Sequence, residues 1–190
     1  MSENTLEKNF EIYKNGLIKI IGEESTDLLI ESLGGEEEIM RASYATTRNT
    51  GSAYEGSFIQ NIIRLAKYAN AINDLLPEDK RVEKKSINKI CLLSQIAKVI
   101  FFEENDNNWE VTNRGIVYKY AKLNGALRIG ERSLLISMNA NIKFDEFEFE
   151  AMQILDKKDD DDNFTKYYSS TLSVIIKEAA EIITLINRVE

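Results

Sequence analysis

Apolar residues recur at helical spacing through most of this chain. Phe58, Ile62, Leu65, Ala69, Ile72 and Leu76 fall three and four apart and predict a helix that Pro77 stops. Ile87, Ile90, Leu93, Ala97 and Ile100 repeat the pattern over 86 to 102, with Ser86 as its cap. Both segments are long, apolar on one side and joined by a polar connection, which predicts a central antiparallel pair. Leu6, Phe10, Tyr13, Leu17 and Ile20 make one stripe of an amphipathic first helix. A shorter helix follows, opened by Ser25 or Thr26, carrying Leu28, Leu29 and Leu33 and ending at Gly34-Gly35. Asp145 with Glu148 resembles a capping box for a helix over 146 to 155, with Phe147, Ala151 and Ile154 turned inward. Leu172, Ile175, Ala179, Ile182 and Ile186 line one face of a last helix, from about Lys166 to Val189, that closes the bundle.

Two stretches break this period. Arg41 to Ser57 is polar and small and reads as a loop entering the central pair. Trp109-Glu110-Val111 and Ile116 to Tyr120 flank Asn113-Arg114-Gly115, a pattern that can form a small β-hairpin. The expectation is an all-α helical bundle with such a hairpin, 1–40 being an N-terminal helical extension and 41–190 the main domain. The stripe of the first helix has two readings. It packs on its own domain, or it is a docking arm for other protein subunits with Phe10 and Tyr13, aromatic types favoured at interfaces, as the contact residues.

Composition narrows the classes. At 190 residues and 43% apolar content the chain suits one domain with a sizeable core, and a single Pro with nine Gly favours long helices over many turns. The net charge is −8 and the basic residues are dispersed, which argues against nucleic-acid binding. The basic run Lys80 to Lys85 follows Pro77 and solvates the turn between the central helices. Cys91 lies in an apolar run and reads as a buried structural thiol. Asp159 to Asp162 lack the spaced ligands and glycine of an EF-hand loop and read as solvated. With neither a signal peptide nor an apolar run long enough for a bilayer, the expected location is a cytoplasm.

The motif-bearing residues point further. Leu92-Leu93-Ser94-Gln95-Ile96-Ala97-Lys98 resembles the signature of the HD-domain phosphohydrolases, apolar-apolar-His-Asp-apolar-Gly-Lys, with Ser94 and Gln95 at the metal-binding pair. Gly56 to Asn61 resembles that family's Gly-Gly-Leu-x-Glu-His element with Asn61 for the His, and Arg128 to Ser133 resembles His-Gly-Glu-Arg-Ser with Ile129 for the His. Glu150 to Leu155 is similar to a segment that leads into a further His, and a last acidic ligand falls near Glu181. The elements come in family order over roughly Arg41 to Ile186. The resemblance implies an HD-like bundle that has lost its metal site. Chemistry agrees: the chain has no histidine, Ser, Gln and Asn are weak neutral ligands, and Ile129 has no donor atom. No metal and no cofactor are expected.

Three functions remain open. One is a non-catalytic HD-like component that works through protein contacts; Ser43-Tyr44-Ala45-Thr46 and the altered elements look most like HD proteins encoded by tailed bacteriophages, which implies a virion component or another phage interaction protein in a bacterial host. A second is a pseudoenzyme that holds a nucleotide or signalling molecule, with Arg48, Tyr54, Lys98, Glu131 and Arg132 as candidate ligand contacts, used to sequester it from host defence. The third is a hydrolase with a rebuilt site, ranked last because no substitute nucleophile or metal cluster is visible.

Overall fold

A computed structural model describes residues 3–156 and 169–188. It is a helical bundle with one small antiparallel sheet. Helix α1 (Glu3–Ile21), α2 (Glu23–Ser32) and α3 (Glu36–Arg41) come first, then α4 (Ser57–Leu75) and α5 (Lys84–Leu93). A short α6 (Lys98–Phe101) runs into β1 (Phe102–Glu104), followed by α7 (Asn108–Arg114) and β2 (Tyr118–Tyr120). Then come α8 (Ile129–Asn139), α9 (Glu146–Gln153) and α10 (Thr171–Asn187).

The central pair forms as its stripes predict. Phe58, Ile62, Leu65 and Ala69 of α4 and Ile87, Ile90 and Leu93 of α5 are all buried in one cluster, to which α10 adds Leu172, Ile175 and Ala179. Pro77 follows the end of α4, and Asn73 clamps the connection, its side chain donating to Val82 O at 3.0 Å and accepting from Val82 N at 2.8 Å. The capping box at Asp145 and Glu148 is present.

Phe10, Tyr13 and Leu17 belong to this same cluster. The first of the two readings of α1 therefore holds, and Phe10 and Tyr13, at 4% and 1% exposure, are core side chains rather than a docking surface. The reason is steric partnership: Tyr13 meets Phe58 edge-on at 6.1 Å, and its hydroxyl donates to Leu92 O at 3.1 Å. The 1–40 segment thus supplies part of the core that 41–190 uses.

Several boundaries differ from the pattern's prediction. The second central helix does not run unbroken to 102. It ends at Leu93, and the bonds tighten to Ile96 N to Leu93 O and Lys98 N to Gln95 O before α6 begins. Ala97 N is taken by Ser133 Oγ at 3.0 Å, so a side chain of α8 replaces the helical acceptor at that point. α5 starts at Lys84, ahead of Ser86. α2 starts at Glu23, and Thr26 Oγ1 donates back to Gly22 O at 2.7 Å inside the helix instead of capping it.

The hairpin uses a different first strand. Phe102–Glu104 pairs with Tyr118–Tyr120, Phe102 opposite Tyr120, while Trp109 to Val111 lie in α7. Asn107 decides this, because its side chain accepts from the N–H groups of Trp109 and Glu110 and starts a helix that Gly115, at φ 65°, stops. Phe147 faces out at 61% exposure, and Ile186 is likewise exposed, so neither joins the core face predicted for it. The Asp159 to Asp162 run lies outside the described residues.

Candidate functional site

The loop 43–57 and the last turn of α10 are held together by a buried web of neutral polar groups. Asn187 Nδ2 donates to Asn61 Oδ1 and to Ser52 Oγ, both at 2.8 Å. Asn61 Nδ2 donates to Ser57 O at 2.8 Å, Ser57 Oγ to Ser52 O at 2.6 Å, and Tyr44 N to Ser57 Oγ at 2.9 Å. Arg64 donates to Asn187 Oδ1 at 3.0 Å from the outside. Each acceptor has a donor, as groups buried this deeply require. Gly51 belongs to the same joint, since at φ 65° it abuts the Asn187 carbonyl and a side chain there would collide with it.

In front of this web lies a cavity of about 400 Å³, between the 44–52 loop, the start of α6 and the end of α10. Its polar border includes Asn49, Thr50, Ser52, Lys98, Thr184, Asn187 and Arg188; no carboxylate among the described residues borders it. Lys98 is half-buried, its Nζ 3.3 Å from the centre of the Tyr44 ring. Burial lowers its ammonium from the usual lysine range to about 7, against a smaller upward pull from the Asp156 charge. Burial also holds the Tyr44 phenol up, to about 12, and raises Asp156, whose Oδ2 accepts from Gly130 N.

The candidate ligand contacts separate. Lys98 alone among them borders the cavity. Arg48 is exposed and ties the loop to Gly115 through its backbone N–H at 2.9 Å, although its neighbours Asn49 and Thr50 do line the cavity. Tyr54 donates its hydroxyl to Gln60 Oε1 at 2.7 Å. Glu131 accepts from Arg128 N at 2.8 Å and so caps α8. Arg132 donates to Asn124 O at 2.8 Å and Gly125 O at 3.3 Å and lies over the Phe101 ring, securing the segment before α8. Glu131 and Arg132 are thus helix-end and loop anchors.

The positions that the HD resemblance sets against metal ligands fare as follows. Asn61 is the hub of the polar web. Ser94, at the end of α5, is buried with an Oγ that has no partner among the described residues, and Gln95 Nε2 donates to Ser94 O at 3.2 Å. Ile129, the first residue of α8, is not among the residues bordering the cavity, which stays open without it. Glu181 is exposed on α10; the residue of that helix that meets Asn61 is Asn187, nearer its C-terminal end. Neutral amide and hydroxyl groups, with Asn61 and Gln95 already hydrogen-bonded to protein partners, do not fit a divalent metal. Among the described residues no three His, Cys, Asp or Glu side chains gather as ligands, and no helix is long and apolar enough to cross a membrane.

Pattern reading missed Tyr44, Ser52, Asn187 and Arg188. Arg48 and Tyr54 are the candidates from the 41–57 loop, whereas the part of that loop bordering the cavity is Tyr44, Ala45, Asn49, Thr50 and Ser52. Asn187 carried a weak signal, a neutral amide among the apolar residues Leu185 and Ile186 in the last turn of α10.

No family model, curated protein or solved structure matches this chain.

Proposed function

We propose that this chain is a non-catalytic protein of HD-like design that holds a small polar molecule, a nucleotide or a signalling molecule, without cleaving it. The observation that carries the reading is the open cavity at Lys98, bordered by amide, hydroxyl and cationic groups and, among the described residues, by no carboxylate. A pocket of this size suits a small ligand. Imidazole–carboxylate metal chemistry finds no support there: the chain has no histidine, Asn61 and Gln95 are neutral and hydrogen-bonded to protein groups, and Ser94 is neutral. Sequestration of a signal from host defence is the role this implies in a bacterial host.

The subunit-contact reading, with a tailed-phage particle as its setting, loses Phe10 and Tyr13 and rests instead on exposed side chains such as Leu185 and Ile186 at the end of α10. It ranks second, because exposed apolar residues are common on any surface. A rebuilt hydrolase ranks third.

A thermal-shift panel of nucleotides and cyclic nucleotides, followed by chromatography of the ligands, tests the proposal. At a hundredfold excess over Kd, a bound ligand adds ~2.7 kcal/mol, or ~5–10 °C in Tm for a chain of this size. The expected result is such a shift with the ligand recovered intact. No shift with any compound, together with the protein's presence in purified particles, would replace this reading by the assembly one.

A further inference from the structure

Lys98 is chemically unusual in its setting. Its Nζ stands against an aromatic face at the edge of a cavity, and no hydrogen-bond acceptor reaches it among the described residues. Asp156, the described acid whose charge acts on it, is turned to the α8 N-terminus through its bond from Gly130 N. Among the described residues, the other charged or titratable groups around it are Tyr44 and Cys91, both kept neutral by burial; Arg188, which also borders the cavity; and Arg128 and Glu131, whose charges act on Asp156. An amine that is desolvated, has no carboxylate hydrogen-bonded to it and opens on a cavity has its lone pair available near neutral pH.

The geometry points to Lys98 as a covalent capture site for a small aldehyde or ketone. The Nζ lone pair adds to the carbonyl carbon, the carbonyl oxygen takes up a proton as the nitrogen loses one, and the carbinolamine then expels water to leave an imine. The net change is amine plus carbonyl giving imine plus water, with no oxidant or reductant required. Tyr44 would flank the adduct, and the polar border at Asn49, Thr50 and Arg188 would meet the ligand's other groups. This goes beyond the small-molecule reading and rests on it only for the cavity being a ligand site.

The test uses the full chain with pyridoxal as the probe, borohydride to fix any imine, and peptide mapping by mass spectrometry. At about pH 7.5 the neutral fraction of Lys98 exceeds that of an ordinary lysine on the order of several hundredfold. Restricted access reduces that advantage, and the expected result is labelling of Lys98 about tenfold above any exposed lysine, with a pH midpoint near the value set by its burial. Lys98→Arg keeps a donor and removes the nucleophile, and its labelling should fall to the background of the other lysines. Labelling that simply follows exposure, or a Lys98 that stays unmodified, overturns the inference whether or not the variant folds, since the wild-type map decides it. A nucleotide that shifts Tm while Lys98 remains unlabelled sinks the capture site and leaves the ligand-binding reading standing. Labelling of Lys98 with no nucleotide giving a shift or protection does the reverse.

Discussion

Replacing Tyr13 tests whether α1 is core or contact surface. The ring is 1% exposed and packs edge-on against Phe58, and its hydroxyl donates to the Leu92 carbonyl at 3.1 Å. Tyr13→Ser removes a buried aromatic from a packed cluster, which costs ~3–5 kcal/mol by comparison with large-to-small core changes. It also leaves the Leu92 carbonyl without that donor, adding ~1 kcal/mol. Tyr13→Phe isolates the second effect and should cost ~1 kcal/mol alone. Out of a typical total of ~5–15 kcal/mol, the serine variant is close to unfolding and the phenylalanine variant is not. Urea denaturation followed by circular dichroism, with light scattering on the same samples, reads both effects. The reasoning predicts a large fall in the urea midpoint for serine, a small one for phenylalanine, and no change in association state before unfolding. A serine variant within ~1 kcal/mol of wild type that has lost an oligomer would refute it and return the first helix to the docking role.

Other predictions follow from the same contacts. Lys89→Met strands Glu148, whose side chain is 8% exposed and paired with Lys89, so a loss of ~3–5 kcal/mol is expected in a denaturation experiment, with recovery in the Lys89→Met/Glu148→Gln double variant. Gly51→Ala forces a side chain against the Asn187 carbonyl at a positive φ; a cost of ~1–3 kcal/mol and faster hydrogen exchange in the last turn of α10 should result. Because Lys98 binds its proton less tightly folded than unfolded, the unfolded state carries more protons between about 7 and 10.5, and stability from this group rises with pH across that window. Lys98→Met should remove the rise and, below pH ~7, add stability of ~1–3 kcal/mol, the full shift being discounted for the solvent contact this half-buried side chain keeps. Melting curves at a series of pH values check it; a variant with the wild-type slope would count against the burial argument.

The sequence alone determined the helical class and the central pair, because periodicity records which side of a helix is apolar and because Pro77, Asp145 and Glu148 act on their own neighbours. It also determined that Asn61, Ser94, Gln95 and Ile129 make no imidazole site, since side-chain chemistry is independent of fold. Only the tertiary structure decided what the apolar stripe of α1 meets: periodicity shows that Phe10 and Tyr13 must be covered, and Phe58 and Leu92, far away in the chain, show by what. The same holds where α5 gives way at Ser94, because the competing acceptor for Ala97 N is Ser133 on another helix. The cavity belongs wholly to this second category. Lys98 reads as an ordinary charged residue in sequence and becomes a desolvated amine only when Tyr44 and the end of α10 close around it, and Asn61 becomes a structural hub only when Asn187 arrives from the far end of the chain.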